Sequence, residues 1–171
     1  MNELKTKTNT LIIGIGNSGR ADDALGWAFL QELPDCEHQC DREYRYQLQI
    51  EDAELLSHYT HVVFVDASRN RYKNGFSLYT CKSDRSSNFT THALSPEQTL
   101  ALAQDLYNAD TDAYILAISG KRWTLDTRMS DFARHNLHQA VNFFQVIIPH
   151  IIGSASTKPD LSNFGLEINM D

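Results

Sequence analysis

Three short apolar runs constrain the fold more than any other feature of the sequence. TLIIGI begins at Thr10, HVVFVDA begins at His61 and AYILAI begins at Ala113. Nearly continuous apolar and β-branched residues are typical of strands covered on both faces in a parallel sheet. Helix-like segments separate the three runs along the chain. The sequence therefore predicts an α/β layer fold.

The remaining elements follow from periodicity and from helix-start signals. Alternating residues predict a second strand over residues 44–50 and an edge strand over residues 76–81. Ser95 and Pro96 predict the start of a helix, because serine is a favoured N-cap and proline is favoured at the first helical position. Further helices are predicted over residues 23–33 and residues 130–148.

Composition limits the classes of partner and the location. The 171 residues include 15 Lys+Arg and 22 Asp+Glu, for a net charge of -7, which offers no basic footprint for nucleic acid. No apolar run approaches the roughly 20 residues of a membrane span, and no signal peptide is visible at the start. Three cysteines without such a signal favour reduced thiols. We expect a cytoplasmic protein with one domain over residues 1–152 and a polar tail over 153–171.

A glycine turn follows the first strand, in the stretch GIGNSGRADDALG. Its spacing G-x-G-x-x-G occurs in dinucleotide-binding turns, where a helix N-terminus meets a pyrophosphate. Asp22 and Asp23 follow at once, however, and two carboxylates there would repel phosphate. Either acid could simply favour the start of the helix, and we assign Asp22 to that role. Together with Asp66 at the end of the third strand, Asp23 instead indicates a cation site, since divalent cations bind carboxylate and imidazole groups.

The most suitable imidazole is that of His92. His58 and His61 flank the start of a strand and so belong to the opposite edge of the sheet. His92 lies on the connection TTHALSPEQ, which can pass over the edge where Asp23 and Asp66 are expected. In the glycine turn, Asn17 could donate to a substrate carbonyl or stabilise its own turn, and Gly16 admits close backbone approach.

Three separated segments resemble the nickel-iron hydrogenase maturation endopeptidases. LIIGIGNSGRADDALGWAFLQEL is similar to the opening signature of that family, HVVFVDAS to its second block and TTHALSP to its third. The resemblance implies a three-layer, doubly wound α/β fold. Its twisted sheet would have five mostly parallel strands in the order 2-1-3-5-4, with one antiparallel edge strand. It also implies that Asp23, Asp66 and His92 form the metal-contacting and catalytic triad.

The family resemblance further implies a substrate and a reaction. Members recognise nickel in the hydrogenase large-subunit precursor and remove its C-terminal extension. Nickel would thus arrive with the substrate, with cadmium or zinc as surrogates, and the oligomeric state stays open. Two alternatives remain, namely a protein that binds the nickel-loaded subunit without cutting it and a nucleotide-binding oxidoreductase.

Two segments depart from the pattern of that family. SRNRYKNG follows the second block in place of a glycine-rich, proline-containing turn, and ISGKRWTLDTRMS follows the last strand in place of a G-x-x-P-like segment. Asp23 also stands where the family usually has glutamate. Lys121, Arg122 and Trp123 form either a solvated turn or a surface that recognises an acidic substrate segment.

Overall fold

The computed structural model describes residues 10–35, 40–86 and 93–153. Within these ranges the chain alternates strands with helices. The strands are β1 (Thr10–Ile15), β2 (Cys40–Arg45), β3 (His61–Ser68), β4 (Phe76–Thr80) and β5 (Asp112–Ser119). The helices are α1 (Leu25–Glu32), α2 (Glu51–Ser57), α3 (Pro96–Tyr107) and α4 (Asp131–Gly153), with a 3-10 turn over Ala21–Ala24 before α1. Within the same ranges, no helix has the length and apolar character needed to cross a membrane.

The five strands of the described residues form one sheet in the order β2-β1-β3-β5-β4. β1 pairs in parallel with β2 and β3, and β3 pairs in parallel with β5. β4 lies antiparallel to β5 at the edge. The predicted strand order and the single antiparallel edge strand are therefore confirmed.

Helices cover both faces of this sheet and give three layers. Alternate residues of a strand point to opposite faces, so Ile12 of β1 joins the core with Phe29 of α1 and Phe144 of α4. On the other face, Ile13 packs in a second core cluster with Leu56 of α2 and Leu100 of α3. The buried runs that predicted an α/β fold are thus the shared middle layer of two cores.

The second strand is displaced from its predicted position, and one helix was missed. β2 spans Cys40–Arg45 instead of residues 44–50, and residues 51–57 form α2. β2 is a polar edge strand, so its sequence CDREYR lacks the apolar signal of a buried strand. The carboxylate of Asp52 accepts a hydrogen bond from Gln49 N at 2.8 Å and pairs with Arg45 at 2.9 Å, which fixes the start of α2.

The last helix is longer than predicted. The prediction ended at residue 148, whereas α4 continues through Pro149 to Gly153. Ile147 and Ile151 are fully buried on either side of the proline, so apolar packing offsets the lost backbone hydrogen bond. The predicted tail beyond residue 153 lies outside the described residues, as does the connection over residues 87–92.

Gly26 marks the closest approach of α1 to the sheet, and it gives the first testable prediction. A Cβ at this position would lie 2.5 Å from Val65 O and 2.7 Å from Ile15 N, both rigid backbone atoms of the sheet. We expect Gly26→Ala to lower the free energy of unfolding by about 3 kcal/mol through overpacking, measured by urea denaturation. Gly19→Ala is the matched control, since its Cβ would meet only Asn17 Oδ1 at 3.3 Å. Equal denaturation midpoints for the two variants would contradict this packing argument.

Candidate active site

The candidate site lies at the edge where β1, β3 and β5 reach their carboxyl ends. In an open α/β sheet this edge is where ligands bind. The 3-10 turn after β1 carries Asp22 and Asp23, and β3 carries Asp66 close to its end. The loop over residues 120–130, between β5 and α4, passes over the same edge, as its hydrogen bonds to the 3-10 turn show.

The N–H groups of the glycine turn after β1 already donate to acceptors within the protein, so they leave no binding site for a phosphate. Gly16 N donates to Arg45 O at 2.9 Å, and Asn17 N donates to Asp23 O at 3.2 Å. Gly19 N donates to the side chain of Asn17 at 2.9 Å. These N–H groups are the donors that a bound pyrophosphate would need. The structure therefore disfavours the nucleotide-binding alternative.

Gly16 and Asn17 serve this turn directly. Gly16 has φ of 149°, and a side chain at this position would collide with the backbone carbonyl of Asp23. The Asn17 side chain accepts the Gly19 N–H, which is the turn-stabilising role of asparagine. The glycine turn thereby sets the position of the backbone at Asp23. Direct contacts of Gly16 and Asn17 with a substrate stay a prediction.

Asp66 and Asp23 are brought together at this edge. Burial raises the pKa of Asp66 to about 7, against a lowering hydrogen bond from Ala67 N, and the nearby charge of Asp23 raises it further. That N–H donates to Asp66 Oδ1 at 2.8 Å. A raised pKa next to a second carboxylate is typical of functional sites, where the charges are arranged for a ligand.

His92, the third predicted ligand, lies outside the described residues. Among residues 10–35, 40–86 and 93–153, no group of three or more His, Cys, Asp or Glu side chains is arranged to hold a metal ion. The structure places Asp23 and Asp66 at the same edge of the sheet, and their role as metal ligands stays a prediction. His61 begins β3 and so lies at the opposite edge, as expected.

Asp22 has a different role from the one predicted. Its carboxylate is fully buried and makes no capping hydrogen bond at the helix start. It accepts hydrogen bonds from Lys121 N and Arg122 N at 2.8 Å each, and from Ser130 N and Ser130 Oγ at 2.7 Å each. Burial raises the pKa of Asp22, but these hydrogen bonds outweigh burial and hold it below its usual value.

Asp22 therefore fastens the loop over residues 120–130 to the first turn of the site. Its assignment to the helix start was wrong because the partners lie about a hundred positions away along the chain, beyond the reach of any local pattern. Ala21 N and Asp22 N add backbone hydrogen bonds to Asp126 O at 2.6 Å and to Arg122 O at 3.0 Å. These hydrogen bonds hold Lys121, Arg122 and Trp123 at the edge of the sheet that the sequence predicted for them.

An aromatic cluster that the sequence analysis missed flanks the glycine turn on the β2 side. The ring of Trp27 lies 5.5 Å from that of Tyr44 and 4.8 Å from that of Tyr46, centroid to centroid. Its indole N–H donates to Arg45 O at 3.0 Å. Tyr46 is 64% exposed. Because Gly16 N donates to the same carbonyl oxygen of Arg45, this aromatic cluster lies next to Gly16.

The donor set of the described residues fits a divalent cation. Burial is the main cause of the raised pKa of Asp66, the nearby charge of Asp23 adds to it, and a cation near both carboxylates would offset these costs. Carboxylate oxygens bind hard and borderline divalent metals. Two carboxylates at one edge of the sheet are therefore suitable donors for a divalent cation.

The raised pKa of Asp66 predicts a stability difference that depends on pH. Below its ordinary pKa of 3.8, Asp66 is protonated in both the folded and the unfolded protein. Because the folded protein holds this proton up to a pH of about 7, the protein loses stability as the pH rises from 3.8 through about 7. Each pKa unit corresponds to about 1.4 kcal/mol, and partial solvent exposure screens the effect, so we expect Asp66→Asn to stabilise by about 2 kcal/mol at pH 9. The gain should vanish near pH 4.

Thermal and urea denaturation across this pH range, with a chelator present, would measure the difference. Asp110→Asn is the control, because Asp110 lies exposed on the connection before β5. A pH-independent effect of Asp66→Asn would contradict the raised pKa.

Several solved structures share the fold of this chain, including those of three hydrogenase maturation peptidases. HycI, a nickel-iron hydrogenase maturation protease from Thermococcus kodakarensis, superposes with a TM-score of 0.61 at 20% identity, over 87% of this chain and 95% of HycI. HybD, a hydrogenase maturating endopeptidase from E. coli, gives 0.57 at 14% identity, over 83% and 93%. A hydrogenase 2 maturation peptidase from a Thaumarchaeota archaeon gives 0.58 at 15% identity, over 82% and 98%.

These likenesses establish the fold over most of each chain. No family model and no curated protein matches the sequence. The resemblance of the three sequence segments and the shared fold are thus two separate observations, one from motifs and one from strand order and superposition.

Proposed function

We propose that this chain is a hydrogenase maturation endopeptidase. It acts in the cytoplasm, recognises nickel in the large-subunit precursor of a nickel-iron hydrogenase, and removes the C-terminal extension of that subunit. The observation that carries the proposal is the placement of Asp23 and Asp66 at the same edge of the sheet, where burial and, to a smaller extent, the charge of Asp23 raise the pKa of Asp66. The shared fold with HycI and HybD supports it.

In this proposal the nickel ion is part of the substrate. Asp23 and Asp66 contact it at the sheet edge, and His92 completes the set. When bound there, the ion supplies Lewis-acid polarisation of the scissile carbonyl. Two ionised carboxylates and a neutral imidazole carry a charge of -2, which balances a divalent cation. Nickel can enter only as Asp66 loses its proton, so its binding favours the ionised form of Asp66.

The described residues offer no competing cysteine nucleophile at this edge. Cys81 is buried, and burial raises the pKa of its thiol to about 12, with a smaller contribution from the charge of Glu97. A thiol with this pKa is protonated at neutral pH and is a poor nucleophile. Metal-assisted hydrolysis is the peptidase chemistry that we propose for this edge.

A non-cleaving role is the second candidate function. The segments SRNRYKNG and ISGKRWTLDTRMS, which depart from the pattern of the endopeptidase family, both lie beside the carboxylate pair and place arginine and aromatic side chains there. Such a surface can bind a nickel-loaded subunit without cutting it.

Incubation with a nickel-loaded large-subunit precursor that carries its extension separates the two roles. We expect mass spectrometry to show loss of the extension, with no loss from a nickel-free precursor. Cadmium or zinc in place of nickel should preserve binding. A stable complex with the nickel-loaded precursor, but no cleavage, would overturn the endopeptidase proposal and favour the binding role.

A further inference from the structure

Three cationic side chains lie over two aromatic rings beside the carboxylate pair. The guanidinium carbon of Arg69 lies 4.5 Å from the centroid of the Trp123 ring, and that of Arg71 lies 4.8 Å from the centroid of the Phe132 ring. Lys121 Nζ lies 5.8 Å from the same Phe132 centroid. These five residues are called the basic–aromatic patch below.

The cations of the basic–aromatic patch have no carboxylate partner within the described part of the chain. The ion pairs there engage other cationic residues, namely Arg42, Arg45, Arg85, Arg128 and His138. Arg69, Arg71 and Lys121 are all exposed. The whole chain carries a net charge of -7, so a group of unpaired cations runs against its general charge.

Hydrogen bonds hold the two loops of the patch in place. Ser119 Oγ donates to Asn70 O at 2.8 Å and accepts from Tyr72 N at 3.1 Å. Gly120 N donates to Ser68 O at 2.9 Å, and the buried carboxylate of Asp22 accepts from Lys121 N. The backbone under the cations is therefore ordered before any ligand binds, which lowers the entropic cost of binding.

The geometry suits several carboxylates rather than one. An arginine stacked on an aromatic face keeps the N–H groups at its edge free, and these match a carboxylate in a bidentate arrangement. The two guanidinium groups lie on separate rings and the ammonium group of Lys121 shares the Phe132 ring, so the three cations offer several points of contact. Phe132 also lines a cavity of about 690 Å³ between the turn before β4 and the start of α4.

We infer that the basic–aromatic patch binds an acidic segment of the protein substrate, with several Asp or Glu side chains, next to the site of cleavage. The inference deepens the proposed function and rests on it for the identity of the substrate. Asp23 and Asp66 repel an acidic segment while the patch attracts it. This opposition sets the register of the substrate, with its metal at the carboxylate pair and its acidic residues on the patch.

Binding of labelled peptides tests the inference without any cleavage step. The probe is a short fluorescein-labelled peptide amide of alternating glutamate and glycine, and its counterpart has glutamine in place of glutamate. By fluorescence anisotropy at low salt, we expect the glutamate peptide to bind about tenfold more tightly, and the preference to shrink as salt is added. The double variant Arg69→Gln, Arg71→Gln should lose this preference.

Arg85→Gln is the matched control variant. Arg85 is an exposed arginine paired with Asp105 on α3, away from the patch, and its replacement should leave peptide binding unchanged. Lys121→Gln alone should weaken binding about threefold, which keeps the test available if the double variant fails to fold.

Three outcomes would overturn the inference. The first is equal binding of the glutamate peptide by wild type and by the folded double variant or Lys121→Gln. The second is equally tight binding of the glutamine peptide once its C-terminal carboxylate is free, which would assign the patch to a chain terminus. The third is tighter binding of a single-stranded oligonucleotide than of the glutamate peptide.

Processing of the nickel-loaded precursor separates this inference from the proposed function. We expect the double variant to raise KM about tenfold with kcat unchanged, because the patch contributes to binding away from the reacting atoms. If wild type binds the glutamate peptide but cuts no precursor, the endopeptidase proposal fails and the binding surface stands. If wild type cuts the precursor and the double variant does so with the same KM, the surface fails and the endopeptidase proposal stands.

Discussion

Asp22→Ala is expected to lower the free energy of unfolding by about 4 kcal/mol at pH 7, because several buried donors lose their acceptor together. The carboxylate of Asp22 accepts from three backbone N–H groups and from the hydroxyl of Ser130, and its side chain is fully buried. Water cannot easily replace these contacts. The loop over residues 120–130 should detach first, since Asp22 is its main fixed point.

Urea denaturation at two pH values tests this expectation. The hydrogen bonds hold the pKa of Asp22 below its usual value, although burial opposes them, so its contribution is present above pH 3.8 and is lost as pH falls through the lowered pKa. The difference in the free energy of unfolding between wild type and Asp22→Ala should therefore become smaller in strong acid. Asp23→Ala is the control at the adjacent, less buried position and should change stability by less than about 1 kcal/mol. Equal losses for the two variants would contradict the division of roles.

The neighbouring residues Asp22 and Asp23 show which features of a site can be predicted from sequence and which cannot. The glycine turn and the strand end at Asp66 are local signals, and both placed carboxylates at the carboxyl edge of the sheet. The separate role of Asp22 depends on Ser130, 108 positions away. Only the folded arrangement of β5 and α4 brings those donors to it, so the two neighbouring acids are equivalent in sequence and different in structure.

The strands show the same division between what local sequence patterns predict and what only the folded arrangement determines. β1, β3 and β5 are buried on both faces, and their apolar residues predicted them directly. β2 is polar because it forms an edge, so its position was displaced and α2 was missed. The cation–aromatic pairs join the loop after β3 to segments distant in sequence, since Arg69 stacks on Trp123 in the loop before α4 and Arg71 on Phe132 in α4 itself. The sequence placed Lys121, Arg122 and Trp123 at this edge, and it held no signal for the stacking of Arg69 and Arg71.

The largest effect on activity is expected at the carboxylate pair. Asp23→Asn and Asp66→Asn should each lower the rate of precursor processing by a factor of about a thousand, or about 4 kcal/mol of transition-state stabilisation. Each amide removes one negative charge from the position where the nickel ion of the substrate is proposed to bind. His92→Ala should have a similar effect and abolish nickel or cadmium binding, because its imidazole is the third predicted ligand.

Asp23→Glu is the informative control for this prediction. Glutamate is the usual residue at this position in the family that the sequence resembles. It keeps the negative charge, so processing should be retained. Single-turnover cleavage of the nickel-loaded precursor, followed by mass spectrometry, measures the rates. Full processing by His92→Ala would refute its assignment, and full processing by Asp66→Asn would refute the pairing with Asp23.

Stability measurements on the same variants distinguish a functional site from a structural one. Asp66→Asn is expected to stabilise the protein at alkaline pH, because it removes the cost of ionising a desolvated carboxylate beside Asp23. Its effect on processing has the opposite sign. Asp22→Ala should instead lose stability and processing together, because it releases the loop. If Asp66→Asn stabilises the fold and also lowers the rate of processing, the carboxylate of Asp66 serves ligand binding and not stability, since the fold alone is more stable without its charge.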